Sequence, residues 1–380
     1  MQDNKNLLGR VRKTVRGTLR RAMPVVTEHM TSTKRIESKR EHFEARRKKK
    51  GEAHVVTYFH DVTDPYSHLA AQVLTHLTRT YEIDLRVMLV SPPSDEAAPE
   101  RELLAAHSFR DAVAIAPYQR VEFSPGPVRP TEQGFARAGC LLSAALARST
   151  FVDDAPRIGT ALWSGDPAAL DALAAELPVA DEALNAKHKR AGDKEREHQK
   201  HYLGAVFAYG GECYWGIDRL YHLEERLVAL GVRNAWAAPK LIAPRRAESN
   251  DRIERKPDNI KLELFASMRS PYTYIVMERT FRFVRQYGLQ FEFRPILPMV
   301  MRSLPVPAIK RNYITLDTKR EADAAGIDFG RMVDPVGEPI ERVYSLYPWA
   351  RDLGLGNDLL LSFAQGAFAD GIDEIGRAHV

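Results

Sequence analysis

The chain repeats itself. Sliding it by 206 positions lays Asp64-Pro65-Tyr66-Ser67 on Ser270-Pro271-Tyr272-Thr273 without a gap. The same offset puts Phe59 on Phe265, Leu69 on Ile275, Tyr81 on Tyr287, Leu85 on Phe291 and Val90 on Ile296. Pro92 falls on Pro298, Asp111 on Asp317 and Phe123 on Phe329. A register held over about 65 residues means two copies of one structural unit. The boundaries follow: a basic arm at 1–51, a first domain at 52–236, a linker at 237–257 and a second domain at 258–380. At 380 residues, two domains of ordinary size are what the length allows.

Each copy opens with alternating apolar residues, then a helical spacing, then a second alternating run. His54–His60, 65–80 and 83–90 form this series in copy one; 260–266, 271–287 and 289–296 form it in copy two. Strand, helix, strand in that order builds a right-handed βαβ unit. Copy one continues through a helical stretch at about 97–200, then a hairpin turning at Gly210-Gly211, then a helix from Asp218. This predicts an α/β chain of two tandem thioredoxin-like domains, each with a helical insertion. The repeat carries copy two to about residue 436, so the second domain is expected to be incomplete at 380. The terminal residues 375–380 resemble translated adapter sequence.

Charge is unevenly spread. Residues 1–50 carry sixteen Lys/Arg against five Asp/Glu, a net +11, while the remainder sums to −6. Within the arm, Leu8, Val11, Val15, Leu19 and Ala22 recur at helical steps. A basic amphipathic helix of this kind can lie on an anionic surface, or pack its stripe on its own protein. No run reaches the ~18 apolar residues of a membrane span, and without an apolar stretch and small-residue cleavage site no secretory signal is expected. Cys140 and Cys213 form no C-x-x-C and no zinc pattern, which points to a reducing, cytoplasmic setting. His198, His201 and His222 lack the partners of a recognisable metal site, so no metal is expected. No phosphate loop or dinucleotide fingerprint occurs.

Ser270-Pro-Tyr-Thr-Tyr274, Lys310-Arg-Asn-Tyr313, Asp317, Arg320 and Gly326-Ile-Asp-Phe329 in copy two resemble a known pattern. So do Asp64-Pro-Tyr-Ser-His68 and Trp215-Gly-Ile-Asp-Arg-Leu220 in copy one. Both copies resemble the DsbA-like domain of 2-hydroxychromene-2-carboxylate isomerases and kappa-class glutathione transferases, over about 54–232 and 260–373. The resemblance implies glutathione as cofactor and an aromatic small molecule as substrate. It implies a catalytic Ser270, with Lys310, Asp317 and Tyr272 binding glutathione. In copy one it implies a degenerate site at Asp64, Asp111, Asp218 and Arg219. The disulfide oxidoreductases of this fold carry cysteines at the helix cap and three residues on. Here those positions are Asp64 and Ser67, Ser270 and Thr273. Without a dithiol, thiol–disulfide exchange by the chain itself has no chemistry. Copy one also has Ala205 where the fold usually places a cis-proline.

A serine at a helix N-terminus can add a hydrogen bond to a thiolate already favoured by the helix dipole. An aspartate there opposes an incoming thiolate by like charge. Ser270 can equally be an ordinary N-cap, and Lys310 with Asp317 an ordinary solvated helix face. Two functions follow. The first is a glutathione-dependent isomerase or transferase acting on aromatic conjugated carbonyl compounds. The second is a non-catalytic paired scaffold that binds a thiol metabolite or a protein partner. Self-association and an anionic surface for the arm are the further partners this reading allows.

Overall fold

The computed structural model describes residues 22–245 and 260–373, and they fall into two compact units. One holds residues 43–245. The other joins residues 22–42 to 260–373.

In the first unit, β1 (Val55–His60) is an inner strand. Its Val-Val-Thr-Tyr-Phe-His sequence suits a pleated, two-sided environment, and all but Val55 are buried. β1 pairs in parallel with β2 (Asp84–Leu89) and antiparallel with β3 (Val206–Tyr209). β3 turns back on β4 (Glu212–Trp215), giving the sheet order β2-β1-β3-β4. The hairpin turns where expected, because Gly210 and Gly211 both hold positive φ, at 58° and 81°. Helices Arg101–Gln119, Glu132–Ala147, Phe151–Trp163, Pro167–Glu176 and Glu182–His198 fill the insertion between β2 and β3. The terminal helix Leu220–Ala229 is anchored by Glu224, fully buried, which accepts hydrogen bonds from Tyr81 Oη, Ile242 N and Ala243 N.

The helix expected over 65–80 is two helices, Pro65–Ala71 and Leu74–Thr80. At the break, the Gln72 amide leaves its helix to hold both the N–H and the C=O of Glu122, at 2.9 and 2.8 Å.

In the second unit, β5 (Lys261–Ala266) and β6 (Gln290–Pro295) pair in parallel around the helix Pro271–Tyr287. Gly288 ends that helix at φ 63°, a left-handed cap. The register matches the first unit residue for residue at the 206 offset. Val55 faces Asp84 and His60 faces Leu89; Lys261 faces Gln290 and Ala266 faces Pro295. Helices Ala308–Ala325, Glu338–Asp352 and Gly356–Gln365 follow. They close a core of Met277, Phe281, Phe293, Ile340, Leu360 and Phe363. The units differ at the sheet edge. Among the described residues β5 has only β6 beside it. Phe265 is accordingly 64% exposed where Phe59 is fully buried.

The compact units divide between residues 42 and 43, within the stretch read as a basic arm at 1–51. Residues 22–31 are helical, and Thr27 Oγ1 accepts a hydrogen bond from Met332 N at 2.9 Å. Thr31 stands so close to Gly330 that a Cβ there would strike its hydroxyl. In the first unit, Phe43 packs edge-on against Tyr209, ring centroids 5.5 Å apart, and Glu44 accepts the Tyr209 hydroxyl at 2.5 Å. The stripe Leu8, Val11, Val15 and Leu19 lies outside the described residues, as do residues 375–380.

Candidate functional site

Ser270 caps the helix Pro271–Tyr287 with extended backbone, φ −85° and ψ 122°. Proline at the first helical position pre-sets the backbone there, so the sequence fixes where the helix begins. Ser270 is half-buried, and its hydroxyl makes no capping hydrogen bond. The approach is held by Arg269, which grips the Asp334 carboxylate with two bonds of 2.7 Å. The free N–H groups and macrodipole of a 17-residue helix favour negative charge at this point.

Lys310, Asp317 and Tyr272 are placed differently from one another. Asp317 is 1% exposed, and its carboxylate accepts from Tyr272 Oη at 2.7 Å, Arg320 at 3.1 Å and Tyr313 Oη at 3.3 Å. It is neither on a solvated face nor aimed outward: it ties the helix Ala308–Ala325 to the helix that Ser270 caps. Tyr272 spends its hydroxyl in that tie. Lys310, two turns earlier on the same helix, is half-buried, and burial lowers its pKa.

The first unit repeats the tie: Tyr66 Oη donates to Asp111 Oδ2 at 2.7 Å. Its cap is built otherwise. Asp64 accepts from Tyr66 N at 3.1 Å and from Ser67 Oγ at 3.0 Å, while Ser67 Oγ accepts from Asp61 N. Ser67 is fully buried. Gly204 presses so closely that a Cβ there would come within 2.8 Å of Ser67 Oγ. Beside it Ala205 holds φ 54°, an unusual conformation for a residue with a Cβ, and fully buried. Burial, and then the Asp61 carboxylate, push the Asp64 pKa up to about 7. Asp218 is exposed and paired with the adjacent Arg219 at 2.6 Å.

Sequence reading missed a group of buried polar side chains behind Asp64. His60 is 5% exposed and His68 is 3% exposed. With Asp64, they line a cavity of about 10 Å³ walled by Val62, Leu142, Ile158, Gly159, Leu162 and Trp163. Burial holds His60 neutral, with a pKa near 3, and His68 neutral, with a pKa near 4. The only local signal was a histidine one place after Ser67. Its burial depends on the helix Phe151–Trp163, about ninety residues away in the chain.

No protein-family model matches the chain, and no curated protein does. Solved structures do. A selenomethionine form of 2-hydroxychromene-2-carboxylate isomerase is 19% identical, with a TM-score of 0.37, covering 47% of this chain and 96% of its own. A putative protein disulfide isomerase from Nitrosomonas europaea is 17% identical, TM-score 0.33, with 47% and 99% covered. The cytosolic disulfide reductase DsbM from Pseudomonas aeruginosa is 15% identical, TM-score 0.33, with 46% and 99% covered. The chain is a mixed α/β protein whose likeness to these structures spans about half its length. Among its described residues no helix is long and apolar enough to cross a membrane.

Proposed function

We propose that the chain pairs two thioredoxin-like units of common origin, and that the second is a glutathione-dependent isomerase or transferase of aromatic conjugated carbonyl compounds. The observation that carries this reading is the Ser270 hydroxyl. It stands at the N-terminus of a long helix and is not spent on capping it. An ordinary N-cap serine bonds back to the second or third backbone N–H of its helix. This one is left to meet a ligand.

The chemistry follows from the position. A thiol with pKa near 8.5 is mostly protonated at neutral pH and a poor nucleophile. Sulfur placed against the free N–H groups of the helix, with the Ser270 O–H turned toward it, is stabilised as thiolate. The thiolate adds to the carbon β to the carbonyl, and the electron pair moves onto the carbonyl oxygen as an enolate. Rotation about the former double bond and expulsion of the thiolate complete an isomerisation. Protonation of the enolate instead releases a conjugate. Lys310 supplies a cation for a carboxylate of the tripeptide. Asp317 and Tyr272 act by holding the two helices together, a positioning role in place of the direct contacts that the family resemblance implies.

A specific observation favours a structural role for the first unit. Asp64 and Ser67 are bonded to each other, and Gly204 presses against the Ser67 hydroxyl and Asp61. Binding of glutathione to the full chain, followed calorimetrically, tests the assignment. Ser270→Ala should weaken thiol-dependent binding, and Asp64→Ala should leave it unchanged. Loss on Asp64→Ala alone, in a folded protein, would move the site to the first unit.

A further inference from the structure

The hydrogen-bond partners around the first unit's cavity fix the tautomers of both histidines. Tyr58 has one hydroxyl proton and gives it to the Ser67 carbonyl at 2.8 Å. The contact of 3.1 Å between Tyr58 Oη and His60 Nδ1 therefore needs the proton on His60 Nδ1. A neutral His60 then carries a bare lone pair on Nε2. For His68 the anchor is Gln72. Its amide orientation is set by Glu122, whose N–H it accepts and whose C=O it donates to. Gln72 thus presents an N–H to His68 Nε2, 3.4 Å away. His68 Nε2 is the acceptor, so its proton sits on Nδ1.

That Nδ1–H is buried and has no partner among the described residues. It lies against Gly159, on the wall of the cavity that His60 and Asp64 also line, and a Cβ at Gly159 would collide with it. The residues that line the cavity thus include one with an unmade donor, His68, one with a bare acceptor nitrogen, His60, and one with a carboxyl, Asp64. The Asp64 oxygens each receive one bond already, from Tyr66 N and Ser67 Oγ, and each keeps a further lone pair. A buried donor left unmade is costly, and native structures satisfy such groups with protein or ordered water. A volume near 10 Å³ with two to four polar partners is the size and polarity at which one water is held.

We propose that the first unit binds a single resident water between His68 Nδ1–H and His60 Nε2, in contact with the Asp64 carboxyl. The ligand class is a neutral molecule of water size that both donates and accepts. The site joins two neutral imidazoles to the cap carboxyl of the helix Pro65–Ala71. It makes the unit's degenerate cap a polar, solvent-bearing centre where a thiol would be excluded by size.

Histidine-labelled full-length protein tests this by nitrogen and proton NMR. The expected result is a neutral Nδ1–H tautomer for both His60 and His68, with a through-space cross-peak from His68 Hδ1 to a slowly exchanging water. His60→Phe removes the acceptor and should weaken that cross-peak while leaving the His68 tautomer unchanged. An Nε2–H tautomer at His68, or an Nδ1–H without any water cross-peak, would overturn the proposal. Should His60→Phe not fold, a crystal structure of the unmodified chain decides. A water within about 3 Å of both ring nitrogens supports the site, and none there rejects it.

Discussion

Replacing Asp64 by asparagine should make the first unit more stable at neutral and alkaline pH. The folded carboxyl has a pKa of about 7, pushed up from the ordinary carboxylate range first by burial and then by the Asp61 charge. A raised carboxyl pKa means the folded state holds its proton more tightly than the unfolded chain does. Stability from this group is complete below pH 4, falls as pH rises from about 4 to about 7, and is gone above. One pKa unit corresponds to about 1.4 kcal/mol, so three units set an upper bound near 4 kcal/mol. The residue is half-buried, and solvent screening leaves an expected gain of roughly 1–2 kcal/mol for the variant at pH 8. Asparagine caps as well as aspartate, so the comparison keeps the helix start. The buried histidines titrate oppositely: their lowered pKa values cost stability as pH falls below about 6.5. Taking the difference between variant and parent removes them. Urea unfolding at pH 4, 5, 6, 7 and 8, followed by fluorescence of the first unit's tryptophans, measures it. A difference independent of pH, or one that grows toward acid, would refute the reasoning.

Glu224→Gln should cost the first unit about 2–4 kcal/mol. A buried carboxylate that accepts three hydrogen bonds is exchanged for one oxygen and an amide facing a backbone N–H, and a loss below about 0.5 kcal/mol in urea unfolding would count against it. Thr27→Val should destabilise the second unit by about 1–3 kcal/mol by stranding Met332 N–H. An unchanged melting curve would return residues 22–31 to the status of a loose arm. Asp317→Asn should loosen the junction of two helices, lowering the second unit's melting temperature more than Asp218→Asn lowers the first's, because Asp317 is buried and Asp218 exposed. Equal shifts in differential scanning calorimetry would contradict that.

The parallel pairs and the hairpin were legible in the sequence because they rest on local signals. Alternation in Lys261–Ala266 and Val55–His60, and two consecutive glycines at 210 and 211, specify strand and turn without reference to distant residues. The matching registers follow from the 206 offset alone. What stayed hidden depends on contacts far apart in the chain. For Asp317 the chain allowed a ligand contact or a solvated helix face, and for Asp111 a degenerate site; that Tyr272 and Tyr66, forty-five positions earlier, donate to them is set by the fold. The packing of residues 22–31 runs through threonines, so a search for apolar stripes passes over it. The break at Gln72 is set by a loop fifty residues on. For Ser270, the position and the helix it starts are legible in the chain; that its hydroxyl makes no capping bond is visible only in three dimensions.

Whether Ser270 stabilises a bound thiolate is tested most directly by the pKa of glutathione's thiol on the protein. Ultraviolet absorbance of the thiolate, titrated with and without the full chain, gives that value. Bound glutathione should ionise below the ordinary thiol value of about 8.5. Ser270→Ala should raise the bound pKa by roughly 1–2 units, equivalent to one charge-assisted hydrogen bond of about 1.5–3 kcal/mol. Asp64→Ala should not move it. A bound pKa indifferent to Ser270, in a variant shown to be folded and to bind, would reduce this serine to the start of a helix.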